Sequence, residues 1–207
     1  MEKIVVIKIG GSTLGTNDTT IEDIVSLQKR GEDLVVIHGG GKIITEWLAK
    51  QDVPAKFIRG ERVTDKRTLD VAIAVLAGLV NKEIVAAING LGGNAVGISG
   101  VDGKVVLAQI KSAEMGYVGN ISEIDIKLLQ LLLNSGFIPV ISTIALNTKD
   151  TDNGVNILNV NADTVAGEIS VVRFQFFVFE PLSWFPTVII VLVLLNPLAF
   201  SFLNGPS

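Results

Sequence analysis

Two glycine-rich turns, each at the end of a short apolar run, constrain this chain more than any other feature. Ile4 to Ile7 leads into Lys8-Ile9-Gly10-Gly11, and Leu34 to Ile37 leads into His38-Gly39-Gly40-Gly41. Short β-branched and aliphatic runs bounded by glycine read as buried strands. Glycines in series lack Cβ atoms, so backbone N–H groups turn inward and approach phosphate oxygens that a side chain would block. Lys8 adds a point charge beside the first turn. Transfer of a phosphoryl group needs the charge on its equatorial oxygens neutralised by donors already in place, which glycine amides and one lysine supply. A strand ending in Gly-Gly before a helix is also an ordinary tight connection in an α/β protein, and each turn alone carries that reading too.

The stretch up to residue 170 alternates strand and helix patterns, which favours an α/β layered fold with a largely parallel sheet. Ile4 to Ile9 is the first strand. Thr20 is placed to cap a helix from Ile21 to about Arg30, with Ile21, Ile24, Val25 and Leu27 on one stripe and Gly31 at its end. Leu34 to His38 is the second strand, and a helix from about Lys42 to Lys50 follows the triple glycine. A glycine turn that leads into a helix aims the helix N-terminus at whatever the turn binds. Pro54 to Thr64 reads as a hairpin around Arg59-Gly60, Asp65 to Ile88 as a long helix, and Asn94 to Ser99 and Lys104 to Ile110 as strands. A helical stripe runs through Ile124, Leu128 and Leu132 within Ile121 to Ser135, closed by Gly136. Phe137 to Ser142 is a further core strand. Asp152-Asn153-Gly154 signals a hairpin turn inside Asn147 to Val160, and Asn161 caps a helix from Ala162 to about Ile169.

Composition removes several classes of function. The 207 residues include no cysteine and one histidine, His38, so neither a disulfide framework nor thiol catalysis nor a protein metal site is expected. A net charge of −4, with no Lys/Arg-rich run, leaves no footprint for nucleic acid. Glu2, Lys3 and Lys8 interrupt the N-terminal apolar run, which reads as a strand instead of a signal peptide, and the expected location is the cytoplasm.

Composition changes abruptly at residue 171. Beyond residue 170 only Arg173 and Glu180 are charged, whereas seven of the nine Phe and four of the six Pro lie there. Residues 171–207 therefore read as an apolar tail apart from the domain of residues 1–170. Pro181 to Ser207 is long enough to span a bilayer as a helix, although Pro186, Asn196 and Pro197 oppose a regular one. The expectation leans towards membrane association or aggregation, against a buried strand at Val188 to Leu195.

The ordered series KIGG (8–11), HGGG (38–41), GERVTD (60–65), GISGVDG (97–103), GYVG (116–119) and NVNAD (159–163) resembles the amino acid kinase family, and within it the acetylglutamate kinases. The resemblance implies a three-layer α/β sandwich around an open, mainly parallel sheet, and ATP- and Mg²⁺-dependent phosphorylation of the side-chain carboxylate of N-acetyl-L-glutamate, in arginine biosynthesis, by a homodimer. It implies that Lys8 stabilises the transferring phosphoryl group, with Gly10 and Gly11 donating backbone N–H bonds, and that Gly40 and Gly41 hold the acyl substrate. Arg62 would grip the α-carboxylate with its planar fork of donors, Asn159 would bind substrate, and Asp163 would orient the catalytic lysine. Without the resemblance, Arg62 reads as a solvated hairpin charge, Asn159 as a strand-end residue and Asp163 as a helix-capping acid. In the first turn of a helix, Asp163 is stabilised as an anion by unpaired N–H groups. His38 reads as a packing or hydrogen-bonding residue, since a carboxylate nucleophile is already ionised at neutral pH and needs no base.

The resemblance ends near Ser170. Family members continue with a lobe that binds the adenine nucleotide and supplies a second catalytic lysine, and nothing in residues 171–207 matches it. The expectation is a substrate lobe over residues 1–170 followed by a non-family tail, as a reading-frame shift or truncation would produce. Two functions follow: an acetylglutamate kinase of impaired activity, or a catalytically dead fragment that binds acetylglutamate or a partner. A kinase acting on carbamate, glutamate or aminoadipate derivatives is a further alternative.

Overall fold

The computed structural model describes residues 4–10, 19–149 and 156–171, together with the backbone of residues 176–177 and 188–193. The chain opens with two β-α units, β1 (Ile4–Ile9), α1 (Thr20–Lys29), β2 (Asp33–His38) and α2 (Gly41–Ala49). A hairpin of β3 (Phe57–Ile58) and β4 (Glu61–Arg62) turns through Arg59 and Gly60, both at positive φ. Then come α3 (Lys66–Ile73), a π-helical segment (Ala74–Val80) and α4 (Asn81–Gly90), which run on as one helix. They are followed by β5 (Ala95–Ser99), β6 (Val106–Ile110), β7 (Gly119–Ile124), α5 (Lys127–Asn134), β8 (Ile138–Ser142), β9 (Ile144–Asn147), β10 (Ile157–Asn159) and α6 (Ala162–Val171). Two strands, β11 (Phe176–Phe177) and β12 (Val188–Val193), lie in the tail.

The main sheet has the order β11-β12-β1-β2-β8-β5, with β1, β2, β8 and β5 mutually parallel. Ile9 lies opposite His38, His38 opposite Ser142, and Ser142 opposite Ser99. The four strands therefore end level, and the turns after them share the carboxyl edge, where open α/β sheets bind ligands. Both faces of these strands are covered. Val5, Ile7, Leu34 and Val36 pack with Ile24, Leu48, Leu76 and Ile88 on one side, and Val6, Val35 and Ile37 pack with Leu129, Leu133, Val165 and Ile169 on the other. Burial on both faces is why these strands read as continuous apolar runs instead of alternating ones. A second sheet, β10-β9-β6-β7, joins α5 and α6 on the latter side.

Several expected boundaries shift for identifiable reasons. Thr19 is the N-cap residue of α1 and its hydroxyl donates to Asp23, whereas Thr20 is already helical and buried. The helix expected from Ile121 begins only at Lys127, where the Asp125 carboxylate accepts from the Lys127 N–H. Residues 119–124 instead pair with β6, and Ser122 is the extra residue of a bulge opposite Leu107 and Ala108. The bulge turns Ile121 and Ile124, three residues apart, towards the same core, which imitates a helical stripe in the sequence. The long helix starts after Asp65, whose side chain accepts from the Thr68 N–H. Lys66–Gly90 is apolar and long enough to cross a membrane, yet Leu69, Ala72, Val75, Val80, Ile84 and Ile88 are buried in the protein. In the tail, Val188–Val193 pairs antiparallel with the whole of β1, as a β-branched run meeting an open strand edge can do. These six residues follow the strand reading of the tail; residues 172–175, 178–187 and 194–207, like the Asp152-Asn153-Gly154 turn, lie outside the described residues.

Gly116 lies at φ +68°, and a Cβ there would stand 2.4 Å from the carbonyl oxygen of Thr64, where the Tyr117 N–H donates to that same oxygen. Gly136 has a similar φ of +77° but open space around it. Gly136→Ala is expected to cost about 1 kcal/mol from backbone strain alone, and Gly116→Ala roughly 3 kcal/mol or more because the clash adds to it. Urea unfolding of the two variants measures the difference.

Candidate functional site

The two glycine turns, the β3–β4 hairpin and the start of α6 surround a cleft of about 250 Å³ at the carboxyl edge of β1 and β2. Lys8, Gly10, Gly40, Gly41, Arg62, Asn159 and Asp163 all line it, and Ile44, Phe57, Leu76 and Val118 supply its apolar wall. Residues up to 155 positions apart in sequence thus converge on one space. Gly11 lies outside the described residues.

Lys8 is next to the last residue of β1 and is mostly buried, with its Nζ 3.0 Å from Oδ1 of Asp163. Asp163 sits in the first turn of α6, where Asn161 Oδ1 accepts from the N–H groups of Asp163 and Thr164. Because Asp163 is 59% exposed, the pair contributes no more than about 1 kcal/mol to stability. Its effect is to aim the ammonium into the cleft. Gly40 is required by packing: a Cβ there would stand 2.7 Å from Cδ2 of Leu76. The second turn therefore lies directly on the π-helical segment, a helix irregularity of the kind that clusters at functional sites.

Arg62 is only 8% exposed. Its Nη2 donates to the Gly41 carbonyl (2.7 Å) and to Thr45 Oγ1 (2.6 Å), its Cζ lies 4.8 Å from the centre of the Phe57 ring, and its Nη1 is buried without a partner. Burial pulls its pKa below the ordinary guanidinium value, but a guanidinium remains cationic at neutral pH. A cation with buried, unmet donors suits an anionic ligand group. Glu61, beside it on the rim, is held by Lys111, whose Nζ is 2.7 Å from both carboxylate oxygens. Asn159 Nδ2 donates to Thr64 Oγ1 (3.2 Å), which itself donates to the Arg62 carbonyl. Thr45, Phe57, Glu61, Thr64 and Thr143 were not singled out by sequence. Only Thr45, one helical turn after Gly41 on α2, carries a local signal that would have found it.

His38 is fully buried behind the second turn. Asn81 Nδ2 lies 3.2 Å from its Nε2, and its Nδ1 is 3.0 Å from the Gly39 carbonyl. An amide nitrogen can only donate, so Nε2 accepts and Nδ1 carries the proton. His38 thus holds the turn and is not poised as a base.

The family model described as the amino acid kinase family matches residues 3–172. The acetylglutamate kinase of Dehalococcoides mccartyi BAV1 is 46% identical over 168 residues, covering 81% of this chain and 62% of that protein. The chain thus spans less than two thirds of the length of this relative. Among solved structures, smu.665 from Streptococcus mutans UA159 superposes with a TM-score of 0.74 at 29% identity, covering 81% of this chain and 67% of the other. An N-acetylglutamate synthase from Neisseria gonorrhoeae, solved with coenzyme A and N-acetyl-glutamate, superposes with a TM-score of 0.66 at 25% identity, covering 82% and 39% respectively.

Burial lowers the pKa of His38 from 6.5 to about 4. Between these values the unfolded chain binds a proton that the folded chain excludes. Stability is then complete above about pH 6.5 and declines as pH falls towards 4, by on the order of 3 kcal/mol. Asp65, held below its ordinary value by the Thr68 N–H, loses its contribution only at still lower pH. Urea unfolding of the full chain at pH 7 and pH 4.5 is expected to show this decline, and His38→Gln is expected to flatten it.

Proposed function

This chain belongs to the amino acid kinase family, and from that premise we propose that its described fold is the substrate half of an acetylglutamate kinase. The observation that carries this reading is Arg62, a cation with a buried and unpartnered Nη1 that lines the same cleft as the Lys8–Asp163 pair. In this reading Arg62 binds the α-carboxylate of N-acetyl-L-glutamate, and Asn159, Gly40 and Gly41 hold its acyl-amino part. The side-chain carboxylate is then left towards Lys8. ATP supplies the phosphoryl group, which Lys8, Gly10 and Gly11 would hold at the first turn. Mg²⁺ bound with the nucleotide would supply further neutralisation of phosphate charge. The acceptor carboxylate is ionised at neutral pH, so no residue has to remove a proton. Lys8 then neutralises charge that grows on the transferring group, with Asp163 fixing the ammonium's position. In the same reading the protein is a cytoplasmic homodimer of arginine biosynthesis.

A second reading, a binding fragment without turnover, is favoured by one observation. The 207 residues contain no lysine after Lys149, so the second phosphate-binding lysine implied by the family is not supplied within residues 173–207. Loss of one such charge alone slows transfer by on the order of 10²-fold or more. The chain assayed by itself is therefore expected to bind N-acetyl-L-glutamate while turning over ATP at least that much more slowly than a full-length relative. Acetylglutamate-dependent ATP turnover at ordinary kinase rates would overturn this second reading.

The division of roles is open to calorimetry with N-acetyl-L-glutamate and no nucleotide. Arg62→Ala is expected to weaken binding by roughly 1.5–3 kcal/mol, the worth of a charge-assisted hydrogen bond, and Lys8→Ala by much less. Equal losses in both variants would contradict the assignment.

A further inference from the structure

We propose that Thr45 is a positioning residue: its hydroxyl sets which edge of the Arg62 guanidinium, beside the cleft, is left without a protein partner, and so makes the site select a ligand carrying a carboxylate at that position. The proposal rests on the reading of the cleft as an acylated amino acid site.

Thr45 lies on α2, one turn after Gly41, and is half-buried. Its Oγ1 donates to the Gly41 carbonyl at 2.9 Å. A hydroxyl has one hydrogen, so towards Arg62 the same oxygen can only accept, and it does so at 2.6 Å. The Gly41 carbonyl accepts from the same Nη2 at 2.7 Å. Both hydrogens of Nη2 are thereby used by the glycine turn and by Thr45. The Phe57 ring lies over the guanidinium. With one edge pinned and a ring over the group, Nη1 is left buried and unsatisfied. Burial of unmet donors on a cation is unfavourable, and a carboxylate is the ligand group that meets them with opposite charge and matching planarity.

Without the hydroxyl, Nη2 has lost an acceptor and the Gly41 carbonyl a donor. The guanidinium is then free to turn and to bring Nη1 to an acceptor of the protein, so the feature that discriminates a carboxylate from an amide disappears. A role confined to helix stability would leave that discrimination intact.

The experiment measures, with the full chain, the dissociation constants of N-acetyl-L-glutamate and of its α-carboxamide, which differs only at the carboxylate. The wild-type protein is expected to prefer the carboxylate by about tenfold or more. Thr45→Val is expected to bring the preference close to one, and Thr45→Ser, which keeps the hydroxyl, to restore it. Thr45→Ala, a substitution favourable to the helix, gives the same reading if the valine variant does not fold. A preference in the valine and alanine variants within twofold of wild type would overturn the role of Thr45 while leaving the acetylglutamate reading in place. Failure of the wild-type chain to bind N-acetyl-L-glutamate, or equal binding of the two ligands, would overturn both.

Discussion

Parallel pairing of β1 with β2, with Ile9 level with His38, is the interaction on which the cleft depends. It sets the two glycine turns side by side at one edge of the sheet. A displacement along the strands by one residue would exchange their two faces and turn Val5, Ile7, Leu34 and Val36 out of the core they occupy. The register is therefore specified by burial on both sides, far from the residues that face the cleft. The site inherits its geometry from apolar packing and contributes little to it. The exposed Lys8–Asp163 pair is too weak to order two strands, and a sheet buried on both faces does not need it to.

At the carboxyl edge this apolar control gives way to a buried polar one. The Asn81 amide nitrogen lies 2.9 Å from the Val140 carbonyl, 3.3 Å from that of Ile98 and 3.2 Å from His38 Nε2. Its oxygen accepts from Lys82, which also reaches the Gly97 carbonyl. One side chain of α4 thus ties together the ends of β2, β8 and β5. Gly97 has no room for a Cβ, which would stand 2.0 Å from Asn81 Oδ1. Polar groups that are buried and satisfied specify one arrangement of their neighbours, because every alternative leaves one of them unmet. Through His38 and the Gly39 carbonyl, that specification reaches the second glycine turn.

What the sequence made legible follows the range of the interactions involved. Strands buried on both faces, the glycine caps at Gly31 and Gly136, the Asn161 cap and the Arg59-Gly60 hairpin are local patterns, and each stands where it was expected. The cleft's charged residues were accessible because they fall in motifs. The bulge at Ser122 was not, since it depends on the partner strand. The Asn81 contacts were equally hidden: an asparagine inside a long apolar helix carries no sign of the strand ends that it meets. Sequence periodicity reports which face of an element is buried, and not which polar group waits there.

The cleft also differs from the core in how its polar groups are met. Within the core, nearly all polar groups are met. At the cleft, Arg62 keeps a buried donor without a partner, which is unfavourable for the fold. The opposing Lys8 is partnered, but by a carboxylate that is largely in water, so its charge stays available at small energetic consequence. A fixed and unsatisfied cation and a compensated, accessible one thus line the same cleft. The residues that hold these two cations come from β1, α2, the β3–β4 hairpin and α6, all inside residues 3–172. Their geometry accordingly depends on contacts within that stretch of the chain.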